Sequence, residues 1–226
     1  MTTSDAVFGA LAHVRDPELD EPLPDLGFVA GVHVDGRSVE VRLRLPTYFC
    51  APNFAWLMVD DARAAVSALP EVDEVVVTLD DHFASSEING AASFEQAFPG
   101  EAHGDLTELR ELFHRKAFVA RQGRVCDRLL HAGRTLEEVT SLRLADLEPD
   151  VDVTRCVELR GELGLDASPD SPAFLLPDGS TPDSASLGRW LRLARLVRLS
   201  LEGNAGLCRS LLETRYGIHD PEELVA

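Results

Sequence analysis

Val39, Val41, Leu43 and Leu45 alternate with Glu40, Arg42 and Arg44. That period of two predicts a strand with one buried face. Phe28 to Val34 reads as the strand before it, and Asp35-Gly36 begins the turn that joins the two as a hairpin. Pro46 closes the second strand. The apolar spacing then becomes helical through Phe54, Leu57, Met58, Ala62, Ala65, Val66 and Leu69, and Pro70 stops it. Val72 to Leu79 reads as a third strand. Ahead of the hairpin, Ser4 is expected to cap a helix running to about His13, with Val7, Phe8, Leu11 and Ala12 on its apolar face. It must end near Asp16-Pro17, because the residue before a proline is pushed out of the α region.

The predicted order is therefore α-β-β-α-β. Strands two and three, joined through a helix, are expected to run parallel, so their C-terminal ends share one edge of the sheet. The start of strand one lies at that edge too. Three loops should converge there: 16–27, 47–53 and 80–89.

From residue 105 onward the pattern is mainly helical. Asp105 to about His131 fits a helical pair, Thr135-Leu136-Glu137-Glu138 matches a capping box, and Val151 to Leu163 reads as a helix. The proline-rich stretch 168–182 predicts a long loop with one short strand, Phe174 to Leu176. Ser186 to Leu201 reads as a basic amphipathic helix, and Ala205 to Tyr216 as a last helix stopped by Gly217. The expected fold class is α+β: a small N-terminal domain with a mixed three-stranded sheet (residues 1–100), then a mainly helical C-terminal domain (residues 101–226).

Composition narrows the function. The chain has 226 residues, 45% of them hydrophobic, and a net charge of −18. Such a surface repels a phosphate backbone, so no nucleic-acid role is expected. No apolar run approaches the roughly 18–20 residues of a membrane span. Met1-Thr2-Thr3-Ser4-Asp5 has neither the basic start nor the apolar stretch of a signal peptide, and a cytoplasmic location is the default expectation. The charge is uneven: residues 1–104 carry 18 acidic and 5 basic side chains, and residues 105–226 carry 21 and 16. That shift supports a boundary near residue 100.

Cys50 is the main candidate for chemistry. It sits in Thr47-Tyr48-Phe49-Cys50-Ala51-Pro52-Asn53, between a strand and a helix start. Free backbone N–H groups and the positive end of the helix dipole lie near such a thiol, a setting that favours metal binding or nucleophilic attack. Phe49 adds bulk and is expected to bury the loop. The converging loops make His82, Asp81 and Asp25 its candidate co-ligands for a metal. Cys126, Cys156 and Cys208 fall within helical patterns and read as core residues. No two cysteines form a C-x-x-C pair, so a self-contained structural zinc site is not expected. Arg189, Arg192, Arg195 and Arg198 recur every third residue along one helical stripe. That stripe is either a solvated face paired with the chain's own acids or a docking surface for an acidic partner.

Several short motifs fall in a characteristic order: Asp16-Pro17-Glu18-Leu19, Asp25-Leu26-Gly27-Phe28-Val29, the hairpin, Thr47-x-x-Cys50, the helix, and Leu69-Pro70-Glu71-Val72-Asp73-Glu74-Val75. Over roughly residues 5–82 the chain resembles the SufT/PaaD family of metal–sulfur cluster biosynthesis proteins. The resemblance implies a small α/β domain, a role in maturing iron–sulfur or iron centres, and a reactive cysteine at Cys50. The family often has glycine before that cysteine and proline directly after it; here Phe49 precedes, and Ala51 intervenes before Pro52. The segment from Phe83 through Phe98-Pro99-Gly100-Glu101 to Arg121 also resembles accessory proteins encoded beside bacterial binuclear iron monooxygenases. That likeness implies a di-iron hydroxylase as client.

The expectation is thus a non-catalytic maturation factor that transiently handles iron or an iron–sulfur cluster and partners a client metalloenzyme or the assembly machinery. One thiolate cannot hold a [2Fe–2S] cluster, which takes four protein ligands. A homodimer, a cluster shared with a partner, or no bound cluster at all are the alternatives. The competing function is a client-specific chaperone or scaffold that binds through the C-terminal helices without metal.

Overall fold

A computed structural model describes residues 3–100, 106–176 and 178–217. The expected α-β-β-α-β order is present. Helix α1 (Ser4–Leu11) is capped by Thr3, whose hydroxyl accepts from the Ala6 N–H. Strands β1 (Val29–Asp35) and β2 (Ser38–Arg44) form the hairpin, helix α2 (Pro52–Ser67) follows, and β3 (Glu74–Asp80) completes the sheet. Proline at the first turn of α2 loses nothing, since its missing N–H would lack an intrahelical partner there.

The sheet order is β1-β2-β3. β1 and β2 are antiparallel, with a register shift between Val29 and Gly31. β2 and β3 are parallel and in register from Ser38↔Glu74 to Arg44↔Asp80. Buried and exposed positions alternate along β2, so Val39, Val41 and Leu43 face the core. Val7 and Leu11 of α1, Val77 and Leu79 of β3, and Ala55, Met58, Val59, Ala62 and Val66 of α2 fill it. Short helices α3 (Ser85–Gly90) and α4 (Phe94–Ala97) follow β3. Asn89 makes two bonds to the Leu79 backbone, which fastens α3 to the strand end.

The remaining helices are α5 (Thr107–His131), α6 (Leu136–Thr140), α7 (Val151–Glu162) and α8 (Ser184–Tyr216). Thr135 and Glu138 form the expected capping box of α6. The stretch 105–131 was expected to form a helical pair. Its described part is one helix of 25 residues, and Asp105 lies outside the described residues. The two expected C-terminal helices are likewise one, 33 residues long. The expected strand at 174–176 is not formed. The Leu175 N–H donates to the Gln122 side-chain oxygen (2.9 Å), and Gln122 donates back to the Leu175 carbonyl (3.1 Å). A side-chain amide thus takes the place of a neighbouring strand.

Contacts divide the chain into two units, Met1–Thr107 with Asn204–Ala226, and Glu108–Gly203. The sequence suggested a single boundary near residue 100. Here the C-terminal part of α8 belongs with the sheet, because Ala205 and Leu212 are buried in the sheet's core and Cys208 and Tyr216 pack against it. The second unit has its own core, built from Val119, Cys126, Val139, Leu187, Trp190 and Ala194 among others. Arg160 is fully buried in that unit and donates to the carbonyls of Asp166, Pro172 and Ala173 and to the Ser171 hydroxyl, so it holds the long loop in place. Among the described residues no helix is long and apolar enough to cross a membrane.

Candidate functional site

In-register pairing of Leu43 with Leu79, and of Val29 with Leu43, brings the three predicted loops to one edge of the sheet. Cys50 lies one residue before the N-cap of α2. Thr47 shapes its turn: the threonine hydroxyl accepts from the Phe49 N–H (3.2 Å) and lies 3.2 Å from the Cys50 sulfur.

His82 braces this turn from the opposite loop. The Ala84 N–H donates to His82 Nδ1 (3.2 Å), so the ring proton sits on Nε2, which donates to the Cys50 carbonyl (2.7 Å). The Phe83 N–H adds a bond to the Tyr48 carbonyl (3.1 Å). His82 is buried, and burial followed by the nearby Arg215 holds its pKa below the usual histidine value, against the opposing pull of the Cys50 carbonyl. The neutral ring therefore positions the Cys50 loop, with both nitrogens engaged by backbone groups. Cys50 and His82 do meet, but through the cysteine's carbonyl rather than its sulfur.

Asp81 and Asp25 are placed elsewhere. Asp81 adopts a left-handed backbone (φ 50°) and forms an ion pair with Arg215 and a hydrogen bond with the Tyr216 hydroxyl. Arg215 also donates to the carbonyls of Leu45 and Asp81, so the end of α8 ties the chain just after β2 to the loop after β3. Asp25 is exposed. Among the described residues, no three His, Cys, Asp or Glu side chains converge to hold a metal ion.

A different group surrounds the thiol. A cavity of about 200 Å³ is lined by Cys50, by Asp16 and Glu18 of the first loop, by apolar Phe28, Leu45, Phe54 and Met58, and by Cys208 of α8. Asp16 is buried, and one of its oxygens accepts from the N–H groups of Glu18 and Leu19. Burial outweighs those bonds and pushes its pKa up to about 6. Burial, with the negative charge of Asp16 next, pushes the Cys208 thiol up to about 11. Cys126 and Cys156 are buried in the second unit and do not line this cavity, and burial pushes the Cys126 thiol up to about 12.

Sequence reasoning treated Cys208 as a core residue. The stripe Ala205, Cys208, Leu212 announces a buried helix face, but nothing in its spacing says what that face covers. The expectation that Phe49 buries the loop is corrected: its ring is 77% exposed. It stands in an exposed aromatic group with Tyr48 and Phe83, at centroid distances of 5.0 Å and 6.0 Å.

The arginine stripe divides. Arg195 and Arg198 both bond Asp127 of their own unit, and burial of that carboxylate is outweighed by these pairs, which hold its pKa low. Arg192 reaches the Gly188 carbonyl (3.3 Å), and Arg189 is exposed.

Residues 4–78 match the family model described as iron–sulfur cluster assembly protein. An iron–sulfur cluster carrier protein of Synechocystis is 38% identical over 77 residues, 34% of this chain and 21% of that protein. The chain thus spans about a fifth of the length of that relative. An uncharacterised protein of Methanocaldococcus jannaschii is 32% identical over 90 residues, 39% of this chain and 93% of its own length.

Proposed function

Because the chain belongs to the iron–sulfur cluster assembly protein family, we propose that it is a non-catalytic maturation factor that holds an iron centre or iron–sulfur cluster as cargo and passes it to a client enzyme. Cys50 is the thiol that contacts the cargo. The observation that carries this reading is the placement of Cys50 on a cavity at the sheet edge, on a turn braced by Thr47 and His82. A thiol suits a soft, thiophilic cargo, and the apolar walls limit its exposure to water.

The exposed rings of Tyr48, Phe49 and Phe83 support the second half of the reading. Apolar surface concentrated beside a thiol is a docking feature for a protein recipient. A binuclear iron monooxygenase is the client that the longer chain's resemblance suggests. The second reading is a client-specific scaffold. It is favoured by the exposed Leu193, Leu196 and Leu199 on α8, which give the helical unit an apolar face.

The test is anaerobic loading of the full chain with ferrous iron and sulfide, read as iron and acid-labile sulfide per chain and as visible absorbance. Wild type is expected to load. Cys50→Ala, checked as folded by circular dichroism, is expected to lose at least tenfold in bound iron. Full metal content in Cys50→Ala would sink the proposed mechanism and leave the scaffold reading in its place.

A further inference from the structure

The cavity contains a second thiol that the family resemblance does not call for. We propose that Cys208, carried on α8, is the second cargo ligand, so that this chain presents a two-thiolate site made with Cys50. The inference rests on the reading of Cys50 as the cargo-contacting thiol and extends it.

Both cysteines line the same cavity of about 200 Å³. That is room for more than a single water. Two carboxylates share its wall, each with one oxygen in a hydrogen bond. Asp16 accepts from two backbone N–H groups, and Glu18 accepts from Asn204 (3.4 Å). The Cys208 thiol makes no hydrogen bond among the described residues. The Cys50 sulfur meets the Thr47 hydroxyl, which can serve as donor or acceptor. A soft, thiophilic metal selects the two sulfurs over the hard carboxylate oxygens beside them.

A soft cation in the cavity takes the place of the thiol protons. Each thiol that binds releases one proton to solvent and forms one metal–sulfur bond, with no change of oxidation state.

Two thiolates are also the number that suits a cargo. A [2Fe–2S] cluster takes four thiolates from protein. A chain that offers two leaves two positions for a recipient.

The test uses cadmium as the probe on the full-length, reduced chain. Wild type is expected to bind one cadmium with a thiolate-to-metal charge-transfer band. Cys208→Ser is expected to bind at least tenfold more weakly with about half the band intensity, and Cys50→Ala likewise. If Cys208→Ser binds as wild type while Cys50→Ala does not, the second ligand is refuted and the role of Cys50 stands. If neither variant differs from wild type, both proposals fall. Should Cys208→Ser not fold, alkylation of wild type at pH 9 with mass-spectrometric readout decides. Cadmium should protect both Cys50 and Cys208, and protection of Cys50 alone overturns the inference.

Discussion

Asp16 and His82 flank the Cys50 loop, both buried, and they answer acid in opposite directions. The folded state raises the Asp16 pKa from 3.8 to about 6, burial being the main cause. Its contribution to stability is full below pH 3.8 and is lost as pH rises through about 6. His82 is depressed from 6.5, so its contribution is full above that value and falls as the pH drops below it. In Asp16→Asn the amide keeps the acceptor for Glu18 and Leu19 without the buried charge. The variant is expected to be more stable than wild type at pH 7.5, on the order of 2 kcal/mol, with the gain vanishing near pH 4. Urea unfolding across that range measures it; equal stabilities at pH 7.5 would show that the Asp16 carboxylate is not strained by burial. With Asp16 silenced, the downward slope from His82 below pH 6.5 should stand out.

At the scale of elements, the legible parts were those set by local chemistry. Alternation marked β2, Pro46 and Pro70 bounded their elements, and the Thr135–Glu138 pair announced its own helix. The merged helices were not legible. Gly203 and Gly206 look like breaks between two C-terminal helices, yet both are exposed, with nothing within 4 Å of an added Cβ. Each costs the helix only about 1 kcal/mol in propensity, and burial of Leu201, Ala205 and Leu212 outweighs that. Gly123 is the opposite case. A Cβ there would meet the Ala194 Cβ at 2.9 Å, where α5 and α8 pack within the second unit. Alanine is the better helix former, but Gly123→Ala is expected to destabilise by about 1–3 kcal/mol because neither backbone can yield freely. A higher melting temperature in that variant would mean that the helices separate at little cost.

For the molecule as a whole, the decisive feature is that the C-terminal turns of α8, from Asn204, belong to the first unit. Leu212 is buried in the sheet's core, and its Cδ2 would lie 2.9 Å from a Cβ at Gly27, a residue with φ +74°. Leu212→Ala is expected to cost about 2–5 kcal/mol, read as a lower denaturant midpoint for the sheet-containing unit. It should also weaken cadmium binding, since Cys208 sits one turn earlier on the same helix. Unchanged stability would show that the C-terminal turns of α8 are dispensable to that core.

By itself the sequence determined the α-β-β-α-β order, the parallel crossover and the meeting of three loops at one sheet edge. Periodicity, proline and connectivity are properties of neighbouring residues and of chain direction, so they survive without coordinates. It also determined the family, through short motifs in order. Only the tertiary structure decided what completes the cavity around Cys50. A helical stripe such as Ala205, Cys208, Leu212 states that a face is buried but carries no information about the surface it meets, which lies far earlier in the chain at residues such as Asp16, Gly27 and Cys50. His82 shows the same limit: its position near Cys50 followed from topology, while its bond to the carbonyl instead of the sulfur depended on ring orientation. Cys50 was legible because its turn is local. Its counterpart on α8 was not, because long-range packing alone brings that sulfur to the cavity.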